Sequence, residues 1–150
     1  KNSLFMLKKI RLKSALFLFL FSILASCAGT GTKNYSSVSY EAPSDQAVVF
    51  IGRKNRFVAS AGLVKVILDG QEIAKLGVGE MERVNVSPGS HKLQSKIGNV
   101  LQLGVGGDSS AFVAEKGKKY FFIVDFDTKL FTSQWVIMET TEGGFQSSIN

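Results

Sequence analysis

Asp69-Gly70 stands between two apolar runs, 63–68 and 71–76, and this pair most constrains the fold. A two-residue link of this type favours a type I′ turn, because both central residues must take positive φ, and it joins neighbouring antiparallel strands. The rest of the chain from Gln46 onward repeats the theme. Ala47-Val48-Val49-Phe50-Ile51 is a run expected to be a buried strand. Runs 81–86 and 91–97 are parted by Ser87-Pro88-Gly89-Ser90, a second turn with proline and glycine in turn-forming places. In 91–97 the residues alternate: His91, Leu93, Ser95 and Ile97 on one side, and Lys92, Gln94 and Lys96 on the other. That register implies one solvated face. Segments 111–115, 120–127 and 134–141 complete seven or eight short strands, and no window reads as a convincing helix after residue 26. The expected fold is all-β, an antiparallel β-sandwich of immunoglobulin-like kind over 46–141, with 142–150 as a polar tail.

The first 26 residues read differently. Residues 1–13 hold five cations (Lys1, Lys8, Lys9, Arg11, Lys13) and no acid; 14–23 is an almost unbroken apolar run; Leu24-Ala25-Ser26-Cys27 follows. A basic start, a short apolar stretch and small residues at a cleavage point mark a secretory signal. The competing reading, a transmembrane helix, needs about 20 consecutive apolar residues. Leu-Ala-Ser-Cys resembles the bacterial lipobox, in which the cysteine is acylated and becomes the first residue of the mature protein. Cys27 is the one cysteine of the chain. The expectation is therefore a signal peptide over 1–26 and a lipidated Cys27, attached to a membrane through its acyl chains. A start at Met6 would give a compact basic segment, which places residues 1–5 upstream of the translated protein. Ala28 stands where an aspartate would favour inner-membrane retention, so the resemblance implies outer-membrane attachment on the periplasmic side in a two-membrane bacterium.

Removing the signal changes the electrostatics. The whole chain has 18 basic and 12 acidic residues, a net charge of +6. Five of the basic ones precede Cys27, which leaves 13 against 12, or +1. The basic balance belongs to the signal, so it gives no argument for nucleic-acid binding. With Cys27 acylated, no thiol remains for a disulfide, a redox centre or a thiolate metal site. Segment 28–45 is small, polar and without apolar period, and is expected to be a flexible tether. Val38 and Tyr40 offer the alternative of a short first edge strand.

Candidate chemistry is sparse. His91 is the single histidine, and a catalytic base needs an orienting partner that no spacing supplies. A cryptic hydrolase or metal-dependent enzyme around His91 is the alternative function, requiring Asp125, Asp127 or Glu115 within reach. Asp125 and Asp127 share one strand face but make a thin shell for a cation. Gly104-Val105-Gly106-Gly107 lacks the strand-to-helix context of a phosphate-binding loop. No catalytic residue, metal ligand or cofactor is assigned. The most distinctive surface feature is Gly52-Arg53-Lys54-Asn55-Arg56-Phe57, three cations beside an aromatic. Arg53, Lys54 and Arg56 are the candidate binding residues, for anionic lipid, polysaccharide or an envelope protein. The aromatic strand 120–127 puts large apolar groups on both faces, which suggests the central strand of the sandwich or, uncovered, a contact patch. Oligomeric state is not legible.

The order of motifs resembles a bacterial lipoprotein β-domain family similar to PEGA-type domains. The likeness rests on Asp69-Gly70-Gln71-Glu72-Ile73-Ala74-Lys75-Leu76, on Pro88-Gly89-Ser90-His91, and on Gly117-Lys118-Lys119-Tyr120-Phe121. It spans roughly 46–126. Phe121 stands where that family often has a second tyrosine, and 98–110 is longer and richer in glycine. The resemblance implies a β-sandwich and an envelope setting, and carries over no catalytic residue. It makes the motif glycines and proline turn-formers and makes Tyr120 an anchor at the core edge.

Overall fold

The computed structural model describes residues 29–57, 62–97, 107–128 and 133–150. Within them lie eight strands: β1 (Ala47–Arg53), β2 (Val64–Leu68), β3 (Gln71–Leu76), β4 (Met81–Val86), β5 (Gly89–Ile97), β6 (Ser109–Ala114), β7 (Lys119–Thr128) and β8 (Ser133–Thr140). A helix, α1, spans Glu142–Ile149. The strands form two four-stranded sheets, β4-β1-β7-β8 and β3-β2-β5-β6, packed as a β-sandwich. The second sheet is antiparallel throughout. In the first, β1 and β7 pair in parallel, with Val48 beside Lys119 and Arg53 beside Val124. That pairing needs a long crossover, and the chain supplies it by running through the opposite sheet.

The Asp69-Gly70 turn is as expected, with φ of 51° and 86°. The turn at 87–90 is not a hairpin: β4 pairs with β1 and β5 with β2, so Pro88-Gly89 carries the chain from one sheet to the other. Gly89 takes φ of 134°, which an L side chain rarely adopts. Val49, Ile51, Val66, Leu76, Leu93, Phe122, Val124 and Trp135 fill the space between the sheets.

The first sheet is also covered on its outer side, so β1 is buried along its whole length. Val48, Phe50, Met81, Phe121 and Ile123 point outward there and meet Phe145 and Ile149 of α1. The rings of Phe50 and Phe121 stack at 5.0 Å, and Tyr40 lies on Phe50 at 4.8 Å. The supposed polar tail 142–150 is therefore a packed helix. Thr141 caps it by accepting a hydrogen bond from the Gly144 amide at 3.2 Å. Phe145 and Ile149, four apart, share the buried face. Gly52 makes the approach possible, because a Cβ there would lie 2.6 Å from Ile149 and 2.8 Å from Phe145.

The supposed tether is likewise docked. The Thr30 amide donates to the Lys75 carbonyl at 2.7 Å, and its hydroxyl accepts from the Lys75 amide at 2.9 Å. Thr32 and Met81 exchange both backbone hydrogen bonds at 2.9 Å. Tyr35–Ser37 forms a 3-10 turn, and Tyr35, Val38, Tyr40 and Ala42 pack on the outer apolar layer. Arg83 holds the carbonyls of Ser39 and Glu41 at 2.8 and 2.9 Å. Segment 29–42 is thus a third layer rather than a spacer, and Val38 and Tyr40 do not form the edge strand.

Candidate functional site

The three candidate cations follow β1 but meet different surroundings. Arg53 is the last residue of β1 and only 2% exposed. Strand alternation places it with Val49 and Ile51, facing the other sheet. Its Nη1 donates to the carbonyls of Gly62 and Leu76, the latter at 3.1 Å, and its guanidinium lies 4.6 Å from the centre of the Trp135 ring. Burial lowers its pKa to about 10, with the nearby Glu80 charge opposing the shift, so it stays charged near neutral pH. Arg53 is a core clamp between the sheets and not a surface cation, which corrects the expectation from the charge run. Trp135 is the complement: its Nε1 is buried with no hydrogen-bond partner among the described residues.

Lys54 and Arg56 do reach the surface, at 38% and 45% side-chain exposure. Both lean on Asp125 of β7. Arg56 Nη1 contacts the two carboxylate oxygens at 3.1 and 3.0 Å, and Lys54 Nζ lies 3.4 Å from Oδ2. Asp125 itself is 8% exposed. Asn55 holds the loop further, through its amide to the Ser148 carbonyl at 2.9 Å and its side chain to the Asn150 carbonyl at 2.8 Å. Phe57 then projects into solvent, 92% exposed.

His91 sits at the opposite end from Asp125 and Asp127, and although Glu115 follows Ala114 at that same end, the partners of the ring are Asp69 and Ser87. Its Nδ1 lies 2.6 Å from Asp69 Oδ2 and its Nε2 2.7 Å from the Ser87 carbonyl. Asp69 Oδ1 also accepts the Lys92 amide at 2.8 Å. This ties the β2–β3 turn to the crossover turn at 87–90. Burial works against the charged ring, but the bonds to Asp69 and Ser87 and the Asp69 charge together raise the His91 pKa above 6.5. Asp69 is lowered, first by its bond to His91 and then by the Lys92 amide. Both ring nitrogens face acceptors, so the imidazolium is the form the site holds best, and it has no lone pair to take a proton from a substrate. A raised histidine pKa contributes stability that is complete below its unfolded value and fades as pH rises through the folded one. Urea midpoints are therefore expected to fall in the native chain as pH rises above about 6.5. With His91→Asn that fall should shrink markedly; an unchanged slope would remove the pair from the pH response.

Sequence reasoning missed Asp69 as the partner of His91 because the two lie 22 positions apart and Asp69 already had a role in its turn. It also missed Asp108, whose Oδ2 accepts the Ile137 amide of β8 at 3.0 Å while its own amide donates to Ser95 Oγ at 3.0 Å, joining the two sheets. No motif signals that contact. Tyr120 does anchor the core edge, with its ring 5.4 Å from Phe112 and its hydroxyl accepting the Glu115 amide at 3.0 Å. Cys27 and Gly104-Val105-Gly106 lie outside the described residues. Among those described, no three His, Cys, Asp or Glu side chains gather as metal ligands, and no helix is long and apolar enough to cross a membrane. Two open grooves flank the docked segment. One of about 700 Å³ runs past Thr32, Asn34, Ser39 and Arg83, and one of about 280 Å³ lies between Tyr35, Tyr40, Gln146 and Asn150. The larger groove also takes in Lys33 and Glu82, whereas the smaller is lined by tyrosine rings, Val38, Ile149 and neutral polar groups. Comparison with protein-family models, curated proteins and solved structures returned no match for this chain.

Proposed function

We propose that this chain is a lipid-anchored protein of the bacterial cell envelope, exported, cut before Cys27 and held at a membrane by acyl chains on that residue. The observation that carries the reading is the three-part N-terminus ending on the one cysteine of the chain. Two or three acyl chains make such attachment stable, where one would be marginal. The β-sandwich is then a non-catalytic module that binds or scaffolds an envelope protein, a polysaccharide or anionic lipid. In support, the single histidine and its acid are engaged with each other and with a backbone carbonyl. Ala28 after the cysteine favours the outer membrane, periplasmic side.

Intact mass and fractionation in the native host test this. The mature form is expected to begin at Cys27, to be heavier than its sequence by its acyl chains, and to sediment with membranes. Cys27→Ser is expected to abolish both the added mass and the membrane association. A wild-type product that is soluble and unacylated would overturn the proposal.

A further inference from the structure

We propose that the end of the sandwich bearing Lys54, Arg56 and Phe57 is a membrane-contact face that lies against the headgroups of the bilayer holding Cys27. This placement rests on the lipid anchor proposed above and concerns where the domain stands once anchored. Distance is the first constraint. Only Ala28 separates Cys27 from Gly29, and two residues extend at most about 7 Å. Gly29 packs closely against the fold. A Cβ on it would run into the Glu80 carboxylate and the Gly77 amide, and the next residue is bonded to Lys75. The anchor therefore enters the fold beside the turn that joins β3 to β4.

That turn shares one end of the sandwich with the cationic loop. Arg53 donates its amide to the Glu80 carbonyl at 2.8 Å, and the space above Gly79 is bounded by Asn55 and by the Ile149 carbonyl. Register agrees: Gly52 pairs with Met81 and Arg53 with Val124, so β1 ends where β4 begins, and β7 runs on past that point to Thr128 at the same end. A short leash at this end turns it toward the lipid and turns the Asp69–His91 end away. Strands of β1's seven residues separate the two ends by roughly 20 Å.

The chemistry presented there suits a bilayer surface. Phe57, at 92%, is far more exposed than Val113 at 64% or Met138 at 43%. A single exposed aromatic is unremarkable on a free protein, but beside an acyl anchor it meets the interfacial zone that aromatic rings favour. Lys54 and Arg56 keep 38% and 45% of their side chains exposed even while bound to Asp125, so their heads can meet lipid phosphates. A bare spacer would have needed neither the docked Gly29–Thr32 path nor an exposed ring with lysine and arginine heads at its exit.

The sole thiol permits a direct test. The chain from Cys27 onward, coupled through that thiol to maleimide-headgroup lipid in vesicles, is compared as Phe57→Trp and Val113→Trp, with the signal of native Trp135 subtracted. Val113 pairs with Ser90 and lies at the far end. On tethering, the emission of the Phe57→Trp variant should shift to the blue and be quenched several-fold more by brominated lipid than that of the Val113→Trp variant. The difference should grow when phosphatidylglycerol replaces part of the phosphatidylcholine. Equal quenching in both variants, or none in either, would overturn the contact face, and indifference to phosphatidylglycerol would overturn the part given to the cations. Because the anchor is supplied chemically, these outcomes are independent of whether the host acylates Cys27, which the intact mass reports.

Discussion

Phe145→Ala is expected to lower stability by about 3–5 kcal/mol, the range for removing a fully buried aromatic ring. The ring is 0% exposed and lies 5.5 Å from Phe121 and 6.3 Å from Phe50. Its loss would open a cavity that the helix cannot close, because α1 has only Ile149 as a second buried contact. A domain of this size has a total of about 5–15 kcal/mol in hand, so the change removes a large share. Ending the chain at Thr141 should cost at least as much, since it bares Val48, Phe50, Phe121 and Ile123 on the outer face. Gln146→Ala, on the exposed side of the same helix, should stay within about 0.5 kcal/mol. Urea unfolding followed by Trp135 fluorescence measures all three. Equal midpoints for Phe145→Ala and the native chain would mean that α1 is not part of the cooperative unit.

That outcome bears on what the sequence could reveal. The strands were legible because period-two alternation and turn chemistry agree locally: Gln71–Leu76 and Met81–Val86 fall where the patterns put them. The β1–β7 parallel pair was not, since nothing local records which distant strand becomes a neighbour. The helix was hidden by Gly143-Gly144, poor helix formers in an eight-residue segment too short to persist alone. It forms because tertiary burial of Phe145 and Ile149 outweighs propensity. The docked segment 29–42 was hidden for a related reason: Tyr35, Val38 and Tyr40 show no period, because they fill gaps on a face already built by β1 and β7. The doubly apolar β7 did carry a clue to a third layer. Phe121 and Ile123 opposite Phe122 and Val124 require cover on both sides, and on the outer side α1 and segment 29–42 provide it.

Arg53 shows the same conflict in one residue, and its substitution is the second large effect expected. The charge run suggested a surface cation available for binding, whereas alternation from Val49 and Ile51 points the side chain inward. Inward is where it lies. Replacing it with methionine keeps most of the apolar stem but strips hydrogen bonds from the Gly62 and Leu76 carbonyls. Each buried acceptor left unpaired costs about 1–3 kcal/mol, and the stacking on Trp135 is lost as well. Relief of the desolvation that lowers the arginine pKa works the other way, and the net expected loss is about 2–4 kcal/mol. Arg53→Lys should recover part of it, because an ammonium keeps the charge and can donate to a carbonyl but lacks the planar guanidinium that lies over Trp135. Arg56→Gln, at the exposed pair with Asp125, should change stability by no more than about 1 kcal/mol. Trp135 emission should shift to the red only in the Arg53 variants. Native stability in Arg53→Met together with weakened membrane contact would return Arg53 to the surface chemistry of the loop and undo its role as a clamp between the sheets.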